Sequence, residues 1–223
     1  VLINECKKMG IEVKTPDNKK SLIKNLSFNL KNKNLLIKGK SGVGKSSLLR
    51  AIAGLWTLGS GKVFKPTYDK IMFLPQKPYM SLGTLLEQIV YPRSSNDFSH
   101  KEILDALNQL SIGYLATDHG LNTTKDWGRV LSVGEQQRIA FTRVILNLPK
   151  LVILDEATSA LDIETEQIFI KNLLNKFNNS TIIMITHRLS NVINADKILV
   201  FEKGYLSEQG DHESLLKNKS VYY

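Results

Sequence analysis

Short apolar runs alternate with longer amphipathic stretches along most of this chain of 223 residues. The apolar runs have the length and β-branched content of strands, and the amphipathic stretches have the spacing of helices. Alternating strands and helices predict an α/β fold with a mostly parallel sheet and helices on both of its faces. The predicted strands are 11–15, 22–30, 34–39, 62–65, 71–74, 151–154, 181–186 and 198–201. The predicted helices are 45–55, 134–148, 164–177 and 212–216.

The pattern becomes more polar and more helical between residues 80 and 130. Ser99 followed by Glu102 has the spacing of a capping box, and leucine and isoleucine recur behind it at helical intervals. We therefore predict a helical insert over 80–130 within a domain of residues 11–223. Residues 1–10 are predicted to be a linker.

Composition narrows the class of protein. Hydrophobic residues make up 42% of the chain and charged residues 23%, which excludes disordered, collagen-like and disulfide-scaffold proteins. Cys6 is the single cysteine, so no internal disulfide forms, and no apolar run approaches the ~20 residues that span a bilayer. The net charge of +9 comes from scattered lysines, which favours a solvated surface. Because the sequence begins without Met, we expect a domain from a longer chain.

A glycine-rich turn joins the predicted strand 34–39 to the predicted helix 45–55. It fits the phosphate-loop pattern, in which backbone amides and a helix N terminus converge on phosphate oxygens. Lys45 is predicted to reach the β- and γ-phosphates, and the Ser46 hydroxyl is predicted to bind Mg²⁺. The expected nucleotide-binding residues of this turn are Gly39, Lys40, Ser41, Gly42, Val43, Gly44, Lys45, Ser46 and Ser47.

Two carboxylates follow the predicted buried strand 151–154. In an open α/β sheet the ligand lies outside the carboxyl ends of the strands. Asp155 is therefore predicted to hold Mg²⁺ through water, and Glu156 to polarise the water that attacks the γ-phosphate.

A third motif, residues 131–138, has two interpretations. Ser132 with Glu135 is a capping box, which by itself explains these residue types. An exposed serine and Gly134 at a helix N terminus also make a second anion site. The pattern alone leaves both interpretations open.

Together these motifs resemble the ATPase domain of ABC transporters, over about residues 11 to 218. The resemblance implies a RecA-like P-loop NTPase fold with an antiparallel β subdomain and a helical insert. It also implies ATP as the substrate and Mg²⁺ as the metal. The resemblance rests, in chain order, on the phosphate loop, Gln76, 131–138, 151–156, 159–162 and His187.

The resemblance implies a catalytic set of Lys45, Gln76, Glu156 and His187. Gln76 would contact Mg²⁺ and the attacking water and link the site to a membrane domain that docks around 77–84. His187 would hydrogen-bond the γ-phosphate. Taken alone, Gln76 is an ordinary loop residue and His187 an ordinary structural histidine.

The family arrangement is a head-to-tail dimer in which each nucleotide is enclosed by two protomers. Ser132, Gly134 and Glu135 would bind the nucleotide held by the opposite protomer. The residues expected at the dimer interface are Ser159, Ala160, Leu161 and Asp162.

Two departures from the family pattern stand out. Val133 and Glu135 replace the glycine and glutamine that the signature motif usually carries. No aromatic residue occurs between residues 1 and 27, where the family stacks adenine near the position of Lys14 or Thr15. Because stacking on a base is worth ~1–3 kcal/mol, we expect weaker base recognition, with tolerance of GTP.

Several segments resemble exporter-type half-transporters of the ABC family. The resemblance implies an ATPase domain on the cytosolic face of a membrane, with membrane helices in the same polypeptide. The segments that resemble ABC subfamily D are 54–56, 73–80, 82–85, 91–92, 126–127 and 131–138. The segments that resemble general ABC exporters are 186–190 and 208–213.

Two other functions are alternatives to an ATPase domain that drives a transporter. One is an ABC-type ATPase that acts on nucleic acid or the ribosome, which the absence of sustained heptads between Lys45 and Ser132 disfavours. The other is a binding module without turnover, which the intact Lys45, Asp155, Glu156 and His187 disfavour.

Overall fold

The computed structural model describes residues 2–5, 11–14, 26–30, 33–57, 60–177, 179–186, 195–218 and 222. It contains two sheets and several helices, in the mixed α/β arrangement that the alternating pattern predicts. The strands are β1 (Leu2–Glu5), β2 (Ile11–Lys14), β3 (Ser27–Leu30), β4 (Asn34–Gly39), β5 (Lys62–Lys65), β6 (Ile71–Leu74), β7 (Leu151–Asp155), β8 (Thr181–Ile185), β9 (Lys197–Glu202) and β10 (Tyr205–Gly210).

The larger sheet has six strands in the order β10-β9-β4-β8-β7-β6. Strand β4 pairs in parallel with β8 and β9, and β7 pairs in parallel with β8, while β10 runs antiparallel to β9. Every residue of β7 and β8 is buried, as expected for strands covered on both faces. The prediction of a mostly parallel sheet is confirmed.

The smaller sheet has the order β1-β5-β2-β3. Strand β2 is antiparallel to β3 and to β5, while β1 is parallel to β5. The sequence pattern does not predict β1, because it lies in the predicted linker and its partner β5 is distant in the chain. It also misses β10, whose alternation of exposed and partly buried residues is typical of an edge strand.

The helices are α1 Lys45–Ala53, α2 Leu85–Val90, α3 His100–Gln109, α4 Tyr114–His119, α5 Trp127–Val130, α6 Val133–Asn147, α7 Ile163–Lys176 and α8 His212–Asn218. Several of them begin or end at local sequence signals. Helix α1 ends at Gly54, which takes a left-handed conformation (φ 87°) and donates its N–H to carbonyls of the last turn. Helices α2, α3 and α6 each begin with a capping box.

The described backbone divides into two compact units. The first unit comprises 1–73, 149–156 and 177–223, and its core packs buried residues of α1 against β4, β7, β8 and β9. The second unit comprises 74–148 and 157–176. It joins α6 to α7 through the rings of Phe141 and Phe169, whose centroids are 3.7 Å apart.

The second unit contains the segment 80–130, which stays a predicted helical insert, and it also contains α6 and α7. Among the residues that the structure describes, no helix has the length and hydropathy needed to cross a membrane.

Candidate functional site

The glycine-rich turn lies in the first unit, between the end of β4 and the start of α1. Gly39, Gly42 and Gly44 all have positive φ values of 147°, 79° and 101°. A Cβ at Gly39 would lie 2.5 Å from the carbonyl oxygen of Phe201, whereas a Cβ at Gly42 would meet no atom within 4 Å. Gly39 is therefore required by close packing as well as by conformation, and Gly42 by conformation alone.

Helix α1 begins without a side-chain cap within the described part of the chain, and its first turn contains no acidic residue. Its N-terminal amides and the positive end of its dipole thus have no anionic partner supplied by α1 itself. This arrangement suits a phosphate group.

The side chain of Lys45 contacts the backbone at the start of the glycine-rich turn. Its Nζ donates hydrogen bonds to the carbonyl oxygens of Gly39 (2.7 Å) and Lys40 (3.0 Å), and its side chain is only 6% exposed. Burial lowers the pKa of Lys45, and the charges of Glu156 and Asp155 oppose that shift. The ammonium group is therefore fixed beside the turn at a cost in desolvation.

Ser46 and Asp155 connect the glycine-rich turn with the acidic strand end. The Ser46 hydroxyl donates a 2.7 Å hydrogen bond to Oδ1 of Asp155, which is the last residue of β7. Burial raises the pKa of Asp155, while the hydrogen bond from Ser46 and the charge of Arg50 lower it.

These oxygen atoms fit a hard divalent cation. A hydroxyl and a carboxylate are ligands of the type that Mg²⁺ binds, usually together with waters and substrate phosphates. Within the described ranges, no group of three or more His, Cys, Asp and Glu residues is arranged to hold a metal ion. One hydroxyl and one carboxylate fit Mg²⁺ that is bound together with phosphate oxygens.

Glu156 follows Asp155 directly and has a left-handed backbone (φ 53°). Its N–H donates to the carbonyl oxygen of Ile185 at 3.2 Å, which anchors the backbone at the end of β8. A non-glycine residue in this region costs about 1–2 kcal/mol, and the sheet contact holds it there. The carboxylate is partly exposed beside Lys45 and Asp155.

The signature motif lies in the second unit, at the start of α6. Ser132 caps this helix by accepting a hydrogen bond from the N–H of Glu135 (3.3 Å), and it remains exposed. A Cβ at Gly134 would lie 3.3 Å from the carbonyl oxygen of Ala160, so a side chain there would press on the turn of residues 159–162. The capping interpretation of this motif is confirmed.

Glu135 makes several strong hydrogen bonds. Its Oε2 accepts from the N–H and the hydroxyl of Ser132, both at 2.7 Å, and its Oε1 accepts from the hydroxyl of Tyr114 at 2.7 Å. Burial raises the pKa of Glu135, but the hydrogen bonds from Ser132 and Tyr114 and the charge of Arg138 hold it below its usual value.

Gln76 and the turn of residues 159–162 also belong to the second unit. The Gln76 side chain is exposed, and its backbone carbonyl accepts a 2.9 Å hydrogen bond from Nε2 of Gln137. Asp162 caps α7, because its carboxylate accepts from the N–H (2.7 Å) and the hydroxyl (2.6 Å) of Thr165. Those hydrogen bonds lower the pKa of Asp162.

The predicted His187 lies outside the described residues, next to Thr186 at the end of β8. Arg143 belongs to none of the sequence motifs; it is buried in α6 and donates to the carbonyl oxygens of Gln88 (2.7 Å) and Tyr79 (2.9 Å). Burial lowers the pKa of Arg143 to about 10. The sequence feature that could have indicated Arg143 is its position, a cationic residue within an apolar helix face.

A family model described as "ABC transporter" matches residues 23–159, which is more than half of the chain. The chain belongs to the ABC transporter family. It is the ATP-binding domain of this family, whose members hydrolyse ATP to power transport. The six-stranded sheet with its glycine-rich turn agrees with the P-loop fold expected of an ABC domain.

Relatives of this ABC domain include an uncharacterised ABC transporter ATP-binding protein from Synechocystis. The two are 47% identical over 159 residues, covering 70% of this chain and 24% of that protein. The human ATP-binding cassette sub-family D member 3 is 41% identical over 152 residues, covering 65% of this chain and 23% of that protein. The ABC domain thus spans about a quarter of these relatives.

A solved structure of a bacterial Atm1-family ABC exporter with ATP bound has a TM-score of 0.84 and 28% sequence identity to this ABC domain. The match covers 97% of this chain and 41% of that chain. The predicted resemblance to exporters and to subfamily D is confirmed, and these relatives lend no support to the alternative that acts on nucleic acid.

Proposed function

We propose that this ABC domain binds Mg-ATP at the glycine-rich turn, hydrolyses it, and drives an exporter-type transporter. The observation that carries the proposal is the 2.7 Å hydrogen bond from Ser46 to Asp155. It brings the glycine-rich turn and the acidic strand end together, and the charges of Lys45 and Glu156 lie close to each other there.

The phosphate chain of ATP would lie in the turn of residues 39–47. The backbone amides there and at the start of α1 would donate to its oxygens, and Lys45 would neutralise the β- and γ-phosphates. Ser46 and Asp155, with Gln76, would hold Mg²⁺, which when bound offsets the negative charge that develops on the phosphates.

Glu156 is the proposed base. It would orient a water toward the γ-phosphorus and accept its proton as the new oxygen–phosphorus bond forms and the bond to the β-phosphate oxygen breaks. The products are ADP and inorganic phosphate. His187 and Gln76 are proposed to hydrogen-bond the γ-phosphate and the water, respectively.

A second protomer would complete each site. Ser132, Gly134 and Glu135 stand at the N terminus of α6, where a γ-phosphate from the opposite protomer would find an exposed hydroxyl and helix amides. The turn of residues 159–162 would line the same interface. The dimer would close on two nucleotides and open after hydrolysis, and so would alternate between two conformations.

This closing and opening of the dimer would be coupled, on the cytosolic side of a membrane, to a transmembrane domain of the same polypeptide. The exporter and sub-family D relatives support this arrangement. The segment around 77–84 is the proposed docking region, where Tyr79 and Leu82 are exposed.

The test is Glu156→Gln in the full-length protein, compared with Glu213→Gln, an exposed glutamate of α8 in the same unit. Glu156→Gln should bind ATP with the affinity of the parent, dimerise, and hydrolyse ATP about 100-fold or more slowly. Glu213→Gln should hydrolyse at the parent rate. If Glu156→Gln hydrolysed ATP as fast as the parent, the role given to Glu156 would be wrong.

A further inference from the structure

One buried amide in the second unit contacts two motifs that are separate in the sequence. Gln137 of α6 is 1% exposed. Its Nε2 donates to the backbone carbonyl of Gln76 at 2.9 Å, and its Oε1 accepts from the N–H of Ala160 at 3.1 Å. Nε2 also lies 3.5 Å from the Ser159 hydroxyl. The backbone before the predicted docking segment and the turn of residues 159–162 are thus attached to one side chain.

The chemistry of a primary amide suits this position. It carries a donor and an acceptor on neighbouring atoms, so it pairs with a carbonyl and an N–H at once. Leucine has nearly the same shape but offers neither group. An ionised glutamate accepts from the Ala160 N–H but cannot donate to the Gln76 carbonyl, and only its protonated form does both.

We propose that Gln137 is a positioning residue for ATP hydrolysis. It holds the Gln76 segment and the turn of residues 159–162 to the helix that carries Ser132, so that these three parts take up their catalytic positions together. This inference rests on the proposed function, because it assigns Gln137 a share in the same reaction through residues that touch the nucleotide or the partner protomer.

The neighbouring Gln136 provides a matched control. It is equally buried on the same helix (3% exposed), and its Nε2 donates to the carbonyls of Gly128 (3.0 Å) and Leu131 (2.8 Å). These contacts are confined to α5 and to Leu131, the residue that follows it. Replacing Gln136 therefore removes buried hydrogen bonds without detaching Gln76 or Ala160.

The experiment compares Gln137→Leu and Gln136→Leu in the full-length protein by thermal unfolding, ATP affinity, KM and kcat. Both variants should lose stability, because each removes two hydrogen bonds to backbone groups that are partly or fully buried. Gln137→Leu should lower kcat about tenfold or more while ATP affinity stays within about twofold of the parent. Gln136→Leu should keep the kcat of the parent to within about twofold.

Glutamate variants separate a positioning role from a purely structural one, and they keep the test decisive if Gln137→Leu fails to fold. The kcat of Gln137→Glu should recover toward the parent as the pH falls from about 8 to about 6, because protonation restores the donor. Gln136→Glu should show no recovery relative to the parent. A parent-like kcat in Gln137→Leu, or a Gln137→Glu rate that does not recover, overturns the inference while leaving the proposed function intact. A parent protein that does not hydrolyse ATP overturns the proposed function, and the inference with it.

Discussion

Lys45 and Asp155 hold opposite charges in a buried setting beside an exposed helix N terminus. Burial lowers the pKa of the lysine and raises the pKa of the aspartate, so both charged forms are disfavoured by desolvation. Ionisable groups with shifted pKa values that lie close together at a strand–helix turn are typical of functional sites. Phosphate oxygens and a cation would restore favourable partners to both side chains.

We expect Lys45→Met to reduce ATP affinity by roughly 10- to 100-fold, since a charge-assisted hydrogen bond contributes about 1.5–3 kcal/mol. The measurement is an equilibrium titration of the full-length protein with ATP.

Lys40→Met is the control for Lys45→Met, because Lys40 is exposed on the same turn and is expected to bind phosphate through its backbone N–H, which the substitution keeps. It should bind ATP within about threefold of the parent. Equal losses in the two variants would show that general positive charge, and not the fixed Nζ of Lys45, holds the phosphates.

Among the α-helices of the second unit that the structure describes, three begin with a capping box, and two of these, α3 and α6, use a serine and a glutamate. At the start of α3, Ser99 donates its hydroxyl to Glu102 at 2.7 Å and accepts from its N–H at 3.2 Å; at the start of α6, Ser132 and Glu135 repeat this at 2.7 and 3.3 Å. Because the local geometry is the same, capping alone cannot distinguish a structural helix start from a functional one.

That likeness permits a matched test at the level of the element. Ser99→Ala and Ser132→Ala should each destabilise the protein by about 1 kcal/mol, as measured by urea unfolding. Only Ser132→Ala should also weaken ATP-dependent dimerisation, followed by size-exclusion chromatography in the Glu156→Gln background. If both variants dimerised alike with ATP, Ser132 would be a helix cap and nothing more.

At the scale of the whole molecule, a ligand that binds only the folded state raises stability by mass action. Mg-ATP at about 100 times its Kd should stabilise the protein by about 2.7 kcal/mol. We expect this as an increase in the thermal midpoint of full-length Glu156→Gln, which prevents turnover during the scan.

Removing Mg²⁺ with a chelator measures how much of this stabilisation depends on the metal. Adding EDTA should remove most of the increase in the midpoint, because Ser46 and Asp155 offer oxygen ligands to Mg²⁺ only together with the phosphates. Mg²⁺ without ATP should leave the midpoint unchanged. A midpoint that rises equally with and without EDTA would exclude Mg²⁺ from the bound complex.

Sequence alone determined the fold class, the order of the motifs and most element bounds in the larger sheet. Of its strands, β4 and β6 coincide with their predicted ranges, and β7, β8 and β9 lie within one residue of theirs at each end, because these strands contain apolar runs and the glycines between 39 and 44 are required by local backbone geometry. It missed β1 and β10, whose pairing depends on distant partners or on an edge position.

Tertiary structure alone decided which side chains meet. The Ser46–Asp155 hydrogen bond joins residues 109 positions apart, and Gln137 reaches a carbonyl 61 positions away and an N–H 23 positions away. Hydropathy and turn chemistry describe the neighbourhood of each residue along the chain. Contacts between distant groups depend instead on strand order and on helix packing to within a fraction of an ångström, because a hydrogen bond forms only over a narrow range of distance and angle.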